Sequence, residues 1–226
     1  TSEGALELAA GDYSRIVFSA GCSASADTSS AGERSTPLCF LAASDPSGAV
    51  ELYDLPGGTL FGVLENLSPA YEMLFTRDGS LAAVRTSLGI NVWRTANQEK
   101  ILTLQGDSMD FSPSCTYPHQ DLLGEDCLLA VSSSDQLLKK ISLWRTADRS
   151  LLWSVEADKG NLSFSPDGAL LAVAGTTLSM LDAVDGRLIS SEKNPSPYGK
   201  LSFSPDGRLL GIAGEDGAVY LWGIRP

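Results

Sequence analysis

A single imidazole, His119, is available in this chain of 226 residues, so a Ser-His-Asp triad would have to use it. It stands in Tyr117-Pro118-His119-Gln120-Asp121, and no Gly-x-Ser-x-Gly phrase supplies a nucleophile. A solvent-facing loop histidine is the simpler reading, and one histidine excludes a multi-histidine metal centre. The aspartates of Asp78-Gly79, Asp167-Gly168 and Asp206-Gly207 are explained by turns, where a carboxylate bonds nearby backbone. The group Asp135, Glu215 and Asp216 lacks the alternating oxygen ligands and closing glutamate of an EF-hand. No glycine-rich phosphate loop is present. These residues call for no catalytic site, no cofactor and no metal.

Contacts are a better use for the remaining functional groups. Arg94 and Arg145 each follow a tryptophan in matching Trp-Arg-Thr-Ala phrases, and a guanidinium suits a carboxylate on a partner. The plainer role for both is to neutralise acidic neighbours. Tyr117 and His119 could take part in a contact from their loop, and Trp153 is the tryptophan most free to meet a partner.

The composition narrows the field. Acidic residues number 28 against 16 basic, a formal net charge of −12. Phosphate affinity comes mainly from lysine and arginine, so nucleic acid is a poor partner. The hydrophobic fraction of 43% is enough for a packed core. No apolar run approaches the roughly 20 residues of a membrane-spanning helix.

The elements that must position these residues repeat. The phrases Phe75-Thr76-Arg77-Asp78-Gly79, Phe164-Ser165-Pro166-Asp167-Gly168 and Phe203-Ser204-Pro205-Asp206-Gly207 recur, with shorter forms at Phe111-Ser112-Pro113 and Phe18-Ser19. Each precedes an apolar segment and then an alternating one, such as Ile90-Asn91-Val92-Trp93 or Val219-Tyr220-Leu221-Trp222. Alternation of this kind reads as β-strand, and the Asp-Gly phrase as a tight turn. A weaker fourth strand follows in four of the units. Four strands at a period of about 40 residues is the signature of a β-propeller blade, whereas a generic β-sandwich would not keep a turn phrase in phase.

The fold expected is therefore all-β, a five-bladed β-propeller of four-stranded antiparallel blades. Residues 1–226 form one domain with approximate blades 11–65, 66–106, 107–157, 158–194 and 195–226 plus 1–10. The fifth unit stops after three strands. Leu6-Glu7-Leu8-Ala9-Ala10-Gly11-Asp12 echoes Leu102-Thr103-Leu104-Gln105-Gly106-Asp107, so the N-terminal strand is expected to close the last blade.

Two loop insertions, at about 23–37 and 114–126, join first to second strands. Cys22 and Cys39 bracket the first, and Cys115 and Cys127 the second. Disulfides Cys22–Cys39 and Cys115–Cys127 would staple the loop necks, contributing roughly 3 kcal/mol each. That pairing implies an extracytoplasmic or secreted setting. Four reduced cysteines acting as small buried hydrophobes are the alternative, in keeping with a cytoplasmic protein. Zinc is disfavoured because no Cys-x-x-Cys pair is present.

The turn phrase, the apolar strand and a third strand ending in Leu-Trp resemble the WD40 repeat family, most closely in Ser163 to Leu181 and Ser202 to Trp222. The resemblance implies a rigid platform that binds other proteins or peptides around a central channel. Departures are clear: five units rather than the usual seven, no Gly-His pair, and Trp-Arg or Trp-Gly where Trp-Asp is usual. The family's histidine-centred hydrogen-bond network cannot form, so stability is expected to lean on apolar layers between sheets. The function expected is a non-catalytic protein-interaction platform, a subunit or domain of a larger assembly. A propeller-type hydrolase or lactonase and a purely structural or oligomerisation module are the alternatives. Negative charge would steer a basic protein or peptide partner.

Overall fold

Each Asp-Gly turn folds a first strand back along a second, and its hydrogen bonds explain why the phrase recurs. Asp78 Oδ1 accepts from Thr76 Oγ1 at 2.7 Å, Ser80 N at 3.0 Å and Ser80 Oγ at 2.7 Å. Asp167 accepts from Ser165 Oγ and Ala169 N, and Asp206 from Ser204 Oγ and Arg208 N. Gly79, Gly168 and Gly207 sit at φ 73°, 74° and 71°, a left-handed conformation that glycine alone adopts without steric cost.

The computed structural model describes residues 13–19, 39–55, 57–115, 127–134, 138–214 and 216–224. Among these there are strands and no helix. The first sheet contains β1 (Arg15–Phe18), β2 (Phe40–Ser44), β3 (Ala49–Asp54) and β4 (Thr59–Glu65). The second contains β5 (Glu72–Phe75), β6 (Leu81–Thr86), β7 (Gly89–Arg94) and β8 (Glu99–Leu104). In the third are β9 (Ser108–Phe111), β10 (Leu128–Ser134), β11 (Lys139–Arg145) and β12 (Ser150–Glu156). The fourth is β13 (Asn161–Phe164), β14 (Leu170–Ala174), β15 (Thr177–Asp182) and β16 (Leu188–Lys193). The fifth has three strands, β17 (Lys200–Phe203), β18 (Leu209–Ala213) and β19 (Val219–Gly223). Strand order follows the sequence in every sheet. The N-terminal strand expected to close the last blade, the first loop insertion and residues 116–126 of the second lie outside the described residues.

The chain falls into two compact units, the first running to Thr103 and the second from Leu104. In the first, Phe40, Ala42, Val50 and Leu52 pack with Met73, Ala82, Val84 and Trp93. In the second, alternate residues of one strand serve two layers. Leu171 and Val173 pack with Ile141 and Leu143 of the third sheet. Ala172 and Ala174 face the other way, against Leu210 and Ile212 of the fifth. Fully burying one such leucine or isoleucine contributes about 1.5–3 kcal/mol.

Polar staples supplement these layers. Asp158, in the loop after β12, accepts from Thr176 N at 2.6 Å and from Thr176 Oγ1, and pairs with Lys139 Nζ at 2.7 Å. Asn194 Nδ2 donates to Gly175 O at 2.8 Å. In the first unit Asn91 Nδ2 donates to Asn66 Oδ1 at 3.0 Å. Asp158 and Asn194 thereby satisfy backbone groups of the loop at Gly175 and Thr176.

The third sheet also carries a covalent staple. Cys115 is disulfide-bonded to Cys127, 12 residues further on, and both are buried. For this pair the disulfide alternative holds. The Cys22–Cys39 pairing lies outside the described residues, because Cys22 does.

Candidate functional site

Antiparallel pairing gives every sheet two ends. In the third sheet Ser134 lies opposite Lys139 and Lys140 opposite Glu156. At the other end Leu128 lies opposite Arg145, which lies opposite Ser150. The first may be named the loop end and the second the Asp-Gly end, since the Asp-Gly turns of the neighbouring sheets stand there.

At the loop end of the second unit, a cavity of about 370 Å³ is lined by Asp107, Ser108, Lys159, Gly160, Asn161 and Tyr198. The first strands of three sheets bring these residues together. Ser108 opens β9, Asn161 opens β13, and Tyr198 stands two residues before β17. Side chains tie these strands to one another. Ser108 Oγ accepts from Leu162 N at 3.2 Å and Asp110 Oδ2 from Phe164 N at 2.8 Å. Asn161 Nδ2 donates to Tyr198 O at 2.6 Å and Gly199 O at 3.2 Å. Tyr198 is held at φ 62°, a conformation uncommon for a bulky residue, and it is 41% exposed.

Gly160 is required by close approach. A Cβ there would lie 2.3 Å from the Ala174 carbonyl carbon, so any side chain would push the cavity wall off the fourth sheet. Gly160 N also donates to Ser132 Oγ at 3.1 Å. At Gly160 the wall is thus set by backbone packing against the fourth sheet.

The charges here form two pairs. Lys159 Nζ lies 3.7 Å from Asp107 Oδ2, which also accepts from Ser134 Oγ at 2.8 Å. Beside them, Asp158 and Lys139 pair more tightly. Burial would raise the Asp158 pKa, but the bonds from Lys139 and Thr176 outweigh it and hold the carboxyl down at about 2. The same contact raises the Lys139 pKa. Both groups are charged at neutral pH.

The residues expected from sequence lie elsewhere. Arg94 Nη1 pairs with Glu99 at 2.6 Å, and Arg145 Nη1 with Asp148 at 3.3 Å. Both stand at Asp-Gly ends, partly exposed, in equivalent places of their sheets. Trp153 is half-buried rather than free: its Nε1 donates to Ala183 O at 3.0 Å and its ring lies over Gly186. Tyr117 and His119 lie outside the described residues. Sequence reasoning missed Lys159, Asn161 and Tyr198. The signal was a crowding of lysine, since five of the six, Lys139, Lys140, Lys159, Lys193 and Lys200, fall within this stretch. Among the described residues, no three His, Cys, Asp or Glu side chains converge as a metal site.

Comparison with known proteins is consistent with this architecture. Residues 199–223 match the family model of the WD domain, G-beta repeat. No curated protein matches the chain. Among the solved structures that match, a chain of the crystal structure of a mitotic checkpoint complex has a TM-score of 0.67 at 18% identity. The match covers 83% of this chain and 59% of that one, so this chain spans about three fifths of its length. The in-phase repeat, the antiparallel sheets and these two matches identify the fold as a WD40-type β-propeller.

Proposed function

We propose that this chain is a non-catalytic interaction platform, working as a subunit or domain of a larger assembly, with its docking site at the loop end of the second unit. The observation that carries the reading is the cavity beside exposed Tyr198. An exposed aromatic is the residue type enriched among interface anchors, and concave sites with a few placed polar groups are where ligands and partners bind. Arg94 and Arg145 are assigned a secondary role, because each already has a carboxylate within its own sheet.

Affinity capture with quantitative mass spectrometry tests this, using the unaltered chain, Tyr198→Ala and Arg145→Ala. A specific partner should be lost with Tyr198→Ala and retained with Arg145→Ala. Equal recovery with Tyr198→Ala would overturn the placement of the site.

The buried Cys115–Cys127 disulfide supports an oxidising compartment. Thiol titration of the protein unfolded without reductant should find no reactive thiol. Four reactive thiols would refute the assignment.

A further inference from the structure

We infer that the cavity of the second unit receives an acidic side chain, an aspartate or glutamate carried on an extended segment of the partner, with Lys159 as its counter-ion. This rests on the loop end being the docking site, and it reverses the partner charge that the net −12 suggests.

Among the described residues the chain's acidity is not spread evenly. Five of its six lysines stand at this end, beside the described carboxylates Asp107, Glu156, Asp158, Glu192 and Asp216. Several of those acids are engaged internally. Asp158 is held by Lys139 and Thr176, and Asp216 accepts from Tyr220 Oη and Ala218 N. Among the described residues that line the cavity, the one carboxylate is Asp107, which Ser134 already bonds at 2.8 Å.

Lys159 is in the opposite condition. Its ammonium has three donors, yet its contacts to Asp107 and Ser134 are long, at 3.7 and 3.4 Å. A charge-assisted N–H···O bond closes to about 2.7–2.9 Å. An incoming carboxylate can make that shorter bond without displacing Asp107. Ser108 and Tyr198 are among the lining residues, and a hydroxyl can donate to an anion. By contrast both Asn161 Nδ2 hydrogens are directed at Tyr198 O and Gly199 O. The cavity's donors therefore outnumber its uncommitted acceptors. A basic side chain would meet Lys159 head-on and gain only an acceptor that is already shared.

The volume, about 370 Å³, is at the small end of ligand pockets, enough for one or two residues. Among the described residues no arginine lines it, and arginine is the usual means of bidentate recognition of phosphate. A carboxylate is the better match.

Fluorescence anisotropy with labelled Gly-Ser peptides bearing central Glu-Glu, Gln-Gln or Lys-Lys provides the test. The Glu-Glu peptide should bind, and the Gln-Gln peptide should bind about tenfold more weakly or worse. Lys159→Gln should abolish the preference for Glu-Glu, Lys159→Arg should keep it, and Arg145→Gln at the Asp-Gly end should leave it unchanged. Thermal melts of each variant confirm that it is folded. Absence of Glu-Glu binding to the unaltered protein, or binding insensitive to Lys159→Gln, would overturn the inference. A captured partner that depends on Tyr198 but not on Lys159 would overturn it too, while leaving the platform reading intact.

Discussion

The packing between the first and second sheets and that between the third and fourth meet one requirement with opposite residues. In the first unit β4 carries Gly62, and the turn after β7 carries Gln98, whose side chain lies over that glycine. In the second unit β12 carries Trp153 at the corresponding position, paired with Leu143 as Gly62 is with Leu52. There the turn after β15 carries Gly186, over which the indole lies. Both turn residues have positive φ, 54° at Gln98 and 75° at Gly186. The exchange extends to a hydrogen bond. Gln98 Nε2 donates to Thr95 O, and Trp153 Nε1 to Ala183 O. These carbonyls occupy equivalent turn positions, three residues before Gln98 and Gly186. The fold thus requires that the space be filled and the carbonyl be bonded; it leaves open which sheet supplies the group.

The sharpest way to break this comparison is to put large residues on both sides. Gly186→Gln with Trp153 retained should destabilise by about 3 kcal/mol in urea unfolding, from left-handed backbone strain plus overpacking. Adding Trp153→Gly recreates the first arrangement, and at least 1 kcal/mol should be recovered as coupling, about the scale expected for residues in contact. Strict additivity of the two would show that the positions are not exchangeable. Next in size is Trp153→Ala, expected to cost about 2–3 kcal/mol, below the full range for a buried tryptophan because the ring is only half-buried. It also removes the donor to Ala183 O. In the first unit Gly62→Ala should cost about 1 kcal/mol, because its added Cβ displaces the flexible Gln98 side chain and with it the bond to Thr95 O.

Acid should separate the two units by a smaller margin. The corresponding loops use neutral Asn66 in the first unit and Asp158 in the second. A carboxyl held down at about 2 contributes stability that is fully present above its unfolded value near 3.8 and is lost as pH falls through 2. The unaltered protein should therefore lose stability between about pH 4 and 2 more steeply than Asp158→Asn. Parallel pH profiles would show that the Asp158 staple contributes nothing.

Much of this architecture is legible in the amino-acid sequence, and the reason is periodicity. The Asp-Gly turns recur in phase with alternating strands, so the sheets and their antiparallel pairing follow from local chemistry. What spacing does not encode is which neighbour a side chain meets across a layer. Trp153 reads as a rim residue and Gly186 as an ordinary turn glycine, and only the fold brings them together. Asp158 and Asn194 were hidden for the same reason, since their partners Thr176 and Gly175 belong to another loop. The candidate site was half-visible. A crowd of lysines between 139 and 200 is plain in the sequence, but the cavity is not. It depends on three first strands being bound side by side through Ser108, Asp110 and Asn161.

The Cys115–Cys127 bond has a mechanical consequence. Tension applied along the polypeptide crosses from one cysteine to the other through sulfur and bypasses the residues between them. With a sequence separation of 12, a contour of roughly 40 Å is withheld from the stretched chain. Pulled under oxidising conditions, the protein should reach full extension about that much earlier than when reduced, and a single peptide-bond cut inside the loop would leave its tensile continuity intact.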